Sequence, residues 1–69
     1  MESALRPRHR DVLLLAAQGL TQQQSATRLY VSRHTVEAHL TEARKRLDAT
    51  NTTHAVALAI ATGQLEMSA

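Results

Sequence analysis

The stretch VSRHTVEAHLTEARKRL, Val31 to Leu47, decides the architecture. At about 100° per residue, Val36, Leu40, Ala43 and Leu47 fall in one narrow apolar stripe. Opposite that stripe lie His34, Glu37, Ala38, Thr41 and Lys45. Arg44 stands between the two faces, and Arg33 sits at the first turn. Ser32 is a natural N-cap, so a helix is expected over about 33–47. One flank must face a core. The other has short side chains in its middle and basic groups at its margins.

Working outward, Thr21 and Gln24 form a capping-box pattern ahead of a short polar helix over about 22–30. Its inward pair is Ala26 and Leu29. Only a few residues around Tyr30 to Ser32 separate this helix from the next, the spacing of a helix-turn-helix. Upstream, Pro7 suits a first helical position, and Gly19 suits a left-handed stop, which gives a helix over about 7–18. Val12, Leu15 and Ala16 share one face of it, and Leu14 is a candidate for exposure. Downstream, Asn51 can cap and Gly63 can end a helix over about 52–62. Its inward face is Ala55, Val56, Ala59 and Ile60. The expected fold is all-α, a four-helix bundle with no strand, forming one domain over 1–69 with its core at about 5–65.

Composition narrows the function. The chain has 69 residues, eight Lys and Arg against six Asp and Glu, and a net charge of +2. This balance permits a polyanionic partner without demanding one. The basic charge is regional: Arg6, Arg8 and Arg10 lie at one end, Arg44 to Arg46 lie mid-chain, and from Ala49 onward the one charged residue is Glu66. Cysteine is absent, which removes disulfides and thiolate metal sites and fits a reducing cytosol. The longest apolar run, VLLLAA at Val12 to Ala17, is six residues, whereas a membrane span needs about 20. No membrane partner is expected.

An enzyme is not expected either. No glycine-rich phosphate loop, paired carboxylates or nucleophile elbow is present. Of the four histidines, His34 and His39 point to different sides of one helix, and His9 and His54 are distant in sequence. Neither a metal site nor a cofactor is expected.

The polar flank of the third helix has two readings. It can be a solvated face of an amphipathic helix, the commonest case in small helical proteins. It can also enter a DNA major groove, which is about 12 Å wide and admits one helix. In the second reading Ala38 or Thr41 meets a thymine methyl, and Glu37 accepts from a cytosine amino group. Arg33 or His34 reaches a guanine edge or a phosphate. Ser32, Thr35 and Thr21 donate hydroxyls to the backbone, and Arg44, Lys45 and Arg46 meet phosphates.

With these residues assembled, the chain resembles the LuxR-type helix-turn-helix domain, also called the GerE or NarL/FixJ C-terminal type. The resemblance runs from about Leu5 to Leu65. It rests on LRPRHRDVLLLAAQGLTQQQSATRLYVSRHTVEAHLTEARKRL and on THAVALAIATGQL. Leu5, Pro7, Arg8, Val12, Leu13, Ala17, Gly19, Leu20, Ala26 and Leu29 match the pattern in its first half. Val31, Ser32, Thr35, Val36, His39, Leu40, Leu47, Ala55 and Val56 continue it.

The resemblance implies the DNA-binding domain of a transcriptional regulator, reading double-stranded DNA with its third helix. Carried over by position, base-facing sites fall on Glu37, Ala38 and Thr41, with Arg33 and His34 nearby. Phosphate sites fall on Thr21, Ser32, Thr35, Arg44 and Lys45. Such domains typically pair as homodimers through the fourth helix, here by a seam of His54, Leu58, Ala61 and Leu65. They usually sit behind a receiver or ligand-binding domain, so a regulatory domain and RNA polymerase are implied partners, in a cytoplasmic, nucleoid-associated setting.

The chain departs from the family pattern in several places. Arg6 replaces a capping threonine, and His9 replaces an acidic residue that would be a carboxylate partner within the domain. Ser25 stands where isoleucine normally packs. Asp48 stands where glycine usually ends the third helix, and Glu37 is often lysine or another polar residue. The nearest rival is a sigma-factor region 4 domain, which usually ends soon after its third helix. A helical protein-interaction module, using Leu14, Leu58, Ala61 and Leu65 as apolar patches, is the alternative from another class.

Overall fold

The computed structural model describes residues 5–65. The outer residues of the expected 1–69 span, Glu66 among them, lie outside the described residues. Four helices follow one another: α1 (Pro7–Ala17), α2 (Gln22–Leu29), α3 (Arg33–Leu47) and α4 (Thr52–Ala61). No strand occurs among the described residues. All four starts fall where Pro7 and the three capping residues place them. Three ends come one residue earlier than the sequence suggests, because Gln18, Tyr30 and Thr62 are caps rather than helical residues.

The starts are built locally. At α2 the Gln24 amide donates to Thr21 Oγ1 at 3.1 Å, and the Thr21 amide donates to Gln24 Oε1 at 2.8 Å, a reciprocal capping box. At α3 the Thr35 amide donates to Ser32 Oγ at 3.0 Å. At α4 the His54 amide donates to Asn51 Oδ1 at 2.8 Å. Arg6 supplies no such cap to α1, which relies on Pro7 in its first turn. Gly19 ends α1 at φ 93°, a conformation that costs glycine nothing.

α1 and α3 form the centre, each packing against all the other helices, while α2 and α4 flank them without touching one another. The core joins Leu5, Val12 and Leu13 to Ala26, to Val36, Leu40 and Ala43, and to Ala55, Ala59 and Leu65. Among the described residues this apolar cluster holds no Phe, Tyr or Trp. Alanine at 55, 59 and 43 is fully buried, and such small side chains let helix backbones approach closely.

The two ends of the described residues are tied together. The Leu5 amide donates to Gln64 Oε1 at 2.9 Å, and Arg10 donates to the Leu5 carbonyl at 2.8 Å. After α4, Gly63 turns at φ 77°, and the Gln64 and Leu65 amides both donate to the Ala59 carbonyl, at 2.8 and 3.1 Å.

Three expectations are corrected here. Leu65, expected on the outward seam of the fourth helix, is folded back into the core and is 6% exposed. Ile60, expected inward, is 44% exposed. Leu14 is half-buried against the core rather than free.

Candidate nucleic-acid interface

Three residues, Tyr30 to Ser32, join α2 to α3. Tyr30 is left-handed at φ 60° and ψ 42°, which reverses the chain in a single step. The Val31 amide then donates to the Ala26 carbonyl at 3.0 Å, and the Val31 side chain packs against the core. This fixes α3 across α2. The Tyr30 ring itself is 95% exposed. The sequence reading placed Tyr30 at the end of the second helix and in the turn, with no role for its ring. Its position one residue past the last helical leucine was the available signal.

The structure gathers most of the expected residues on one surface. Arg33, His34, Glu37, Ala38 and Lys45 are exposed along the outward flank of α3, and Thr41 and Arg44 are half-buried beside them. On the opposite flank Val36, Leu40 and Ala43 are buried. The midline of the outward flank is therefore short, with Ala38 and Thr41 at its centre. Arg44 reaches back towards Thr41, its guanidinium 3.4 Å from Thr41 Oγ1. The third basic residue of the last turn, Arg46, is turned towards Glu42, with Nε 3.4 Å from the carboxylate. Arg44 and Lys45 thus remain as the outward cations of that turn.

The start of α3 presents donors. Ser32 Oγ and Thr35 Oγ1 lie 2.9 Å apart. Two hydroxyls sharing one mutual bond leave one proton to donate elsewhere. The first bond of the α3 ladder runs from the Val36 amide to the Ser32 carbonyl at 3.1 Å, so the Arg33 and His34 amides precede it. Thr21 is exposed at the start of α2, and its Oγ1 accepts from Gln24 while its own proton is free to donate. Such donors at a helix start suit an anion.

The expected seam on α4 is only partly presented. Ala61 is exposed, and His54 and Leu58 are half-buried. His54 Nδ1 accepts from the Thr50 amide at 3.1 Å, a contact that holds the α3–α4 turn. Leu65 is absent from this surface, being buried.

The fold also brings together two histidines that lie far apart in sequence. The His9 and His39 rings are 5.6 Å apart, inclined at 57°. Among the described residues no group of three or more His, Cys, Asp or Glu is placed to hold a metal ion. No described helix is long and apolar enough to cross a membrane.

A short left-handed turn holding an outward-facing helix over a four-helix core defines a helix-turn-helix domain of the DNA-binding class. Residues 3–59 match the family model of bacterial regulatory proteins, luxR family. The chain belongs to that family and carries its helix-turn-helix domain.

Two relatives give the scale of the likeness. The transcriptional activator protein BjaR1 of Bradyrhizobium diazoefficiens is 45% identical over 56 residues, which is 81% of this chain and 23% of that protein. The quorum sensing-dependent transcriptional regulator RpaR of Rhodopseudomonas palustris is 41% identical over 63 residues, 91% of this chain and 26% of that protein. The chain spans about a quarter of the length of the curated relatives it matches. Among solved structures, transcription factor GerE superposes with a TM-score of 0.87 at 20% identity, covering 93% of this chain and 96% of that one. That match speaks to the fold alone. The phage VqmA–DPO complex superposes at 0.82 with 25% identity, over 99% of this chain and 31% of that one.

Proposed function

We propose that this domain binds double-stranded DNA sequence-specifically by laying α3 in the major groove. Glu37, Ala38 and Thr41 face base edges, with Arg33 and His34 at the entering end. Thr21, Ser32, Thr35, Arg44 and Lys45 hold phosphates on either side. The observation that carries this reading is the uncovered outward flank of α3. Short residues occupy its midline, free hydroxyl protons stand at its start, and Arg44 and Lys45 stand at its end. A merely solvated face needs none of this order.

The domain acts as a homodimer through α4, using Leu58 and Ala61 with His54 at the margin. Two-fold pairing would present two copies of α3 to two half-sites. The named relatives support a place in bacterial gene regulation. One is a transcriptional activator, which supports RNA polymerase as a downstream partner. The other is quorum sensing-dependent, which supports a signal-responsive segment elsewhere in the regulator.

The test is selection of duplex oligonucleotides, followed by binding at two salt concentrations. Ala38→Glu should abolish specific binding while leaving helical content unchanged. Arg44→Ala and Lys45→Ala should each weaken binding to all sequences alike and flatten the logarithmic salt slope by about 0.9. Specific binding retained by Ala38→Glu removes α3 from the groove. For the dimer, sedimentation of Leu58→Arg should show lost self-association, and unchanged self-association excludes this seam.

A further inference from the structure

Between α1 and α3 the domain buries groups that favour one protonation state. His9 is 5% exposed, and its Nδ1 is buried without a hydrogen-bond partner. His39 lies against its ring at a centroid distance of 5.6 Å. Arg46 Nε is buried in the same way, without a hydrogen bond, 3.4 Å from the half-exposed Glu42 carboxylate. The charged and titratable groups acting on His9 are Arg46, His39 and Glu42 from α3, and Arg6 from the residue preceding α1. Glu42 is the one anion among them, and it is already drawn to Arg46. A carboxylate at position 9 would offset the Arg46 charge, whereas a protonated imidazole there adds to it.

We propose that the α1–α3 seam is an acid-labile latch, closed while the His9 imidazole is neutral and sprung when it takes up a proton. A protonated His9 adds a buried cation beside the Arg46 guanidinium and the His39 ring, with no free acceptor for its Nδ1–H. Burial is the largest influence on His9 and holds its pKa below the ordinary 6.5; Arg46, His39 and Arg6 act in the same direction, and Glu42 opposes them. The sign follows from linkage. With the folded value below the unfolded one, the unfolded chain binds more protons between the two. Stability is therefore complete above the unfolded value and is lost as pH falls from there towards the lowered folded value. One proton changes the folding constant by at most about tenfold per pH unit. The functional consequence, release of DNA on acidification, rests on the proposed reading of α3. The latch itself is tested without DNA.

Thermal melts of the whole chain, followed by circular dichroism from about pH 8 to about pH 5, read the latch directly. The melting temperature should fall with acid below the ordinary histidine range. His34→Gln, at an exposed histidine, should keep that fall. His9→Gln should lose most of it, and His9→Glu should abolish it. Nuclear magnetic resonance titration of the imidazole signals of the unaltered chain gives a second measurement that depends on no variant folding. The His9 signals should titrate below the ordinary 6.5. A His9 midpoint at or above 6.5 overturns the proposal, as does a His9→Gln variant that keeps the full acid-dependent fall.

Discussion

The two flanks of α3 belong to the same 15 residues and obey different constraints. Inward, Val36, Leu40 and Ala43 are 1%, 4% and 0% exposed, and their volumes are dictated by α1, α2 and α4. Outward, Arg33, His34, Glu37, Ala38 and Lys45 stand in water, and nothing within the fold dictates their identity. The difference separates residues that make the helix exist from residues that make it useful. Leu40→Ala should cost about 2–5 kcal/mol, enough in a domain this small to unfold much of the population. Ala38→Glu should stay within about 0.5 kcal/mol of the parent. Urea denaturation checks both. A comparable loss in the two variants would break the division between the flanks.

Ser32 lies on the boundary, and it sharpens the comparison. Its Oγ accepts the Thr35 amide while the pair of hydroxyls keeps a proton to offer outward. Ser32→Ala should lower stability by about 1 kcal/mol through the lost cap. It should also weaken DNA binding to every sequence alike, because phosphate contacts carry no base information. Ser32→Thr should preserve both properties. If Ser32→Ala weakens binding without lowering the melting temperature, the hydroxyl serves the partner alone and the cap is redundant.

What was legible in the sequence follows from range. Helix starts are local, so Thr21, Ser32 and Asn51 announce α2, α3 and α4, and Pro7 announces α1. The orientation of α3 was legible because leucine, valine and polar residues alternate at helical spacing. α4 was harder to orient. Its stretch TTHAVALAIA is apolar on nearly every side, so periodicity could not show that Ile60 faces water. The inward return of Leu65 depends on the turn at Gly63, which lies beyond any helical wheel. The pairing of His9 with His39 is tertiary, made only when α1 docks on α3. The base-facing role proposed for Glu37, Ala38 and Thr41 was read from shape and resemblance.

The smallest effect expected comes from the far end of α3, where neither flank holds sway. Asp48 is left-handed at φ 57° and ψ 43°, in a place where glycine would carry no Cβ penalty. The Ala49 amide closes the helix on the Arg44 carbonyl at 2.9 Å, a backbone bond that any residue at 48 permits. An acidic side chain at a helix C-terminus also meets the negative end of the helix dipole, although Arg44, Lys45 and Arg46 in the last turn soften that repulsion. Asp48→Gly relieves the Cβ strain and the repulsion but gives the unfolded chain more freedom. The net should be a gain below about 1 kcal/mol, seen as a higher urea midpoint with an unchanged denaturant slope. A lower midpoint would mean that Asp48 holds the basic turn in place, and the proposed phosphate contacts of Arg44 and Lys45 would then depend on it.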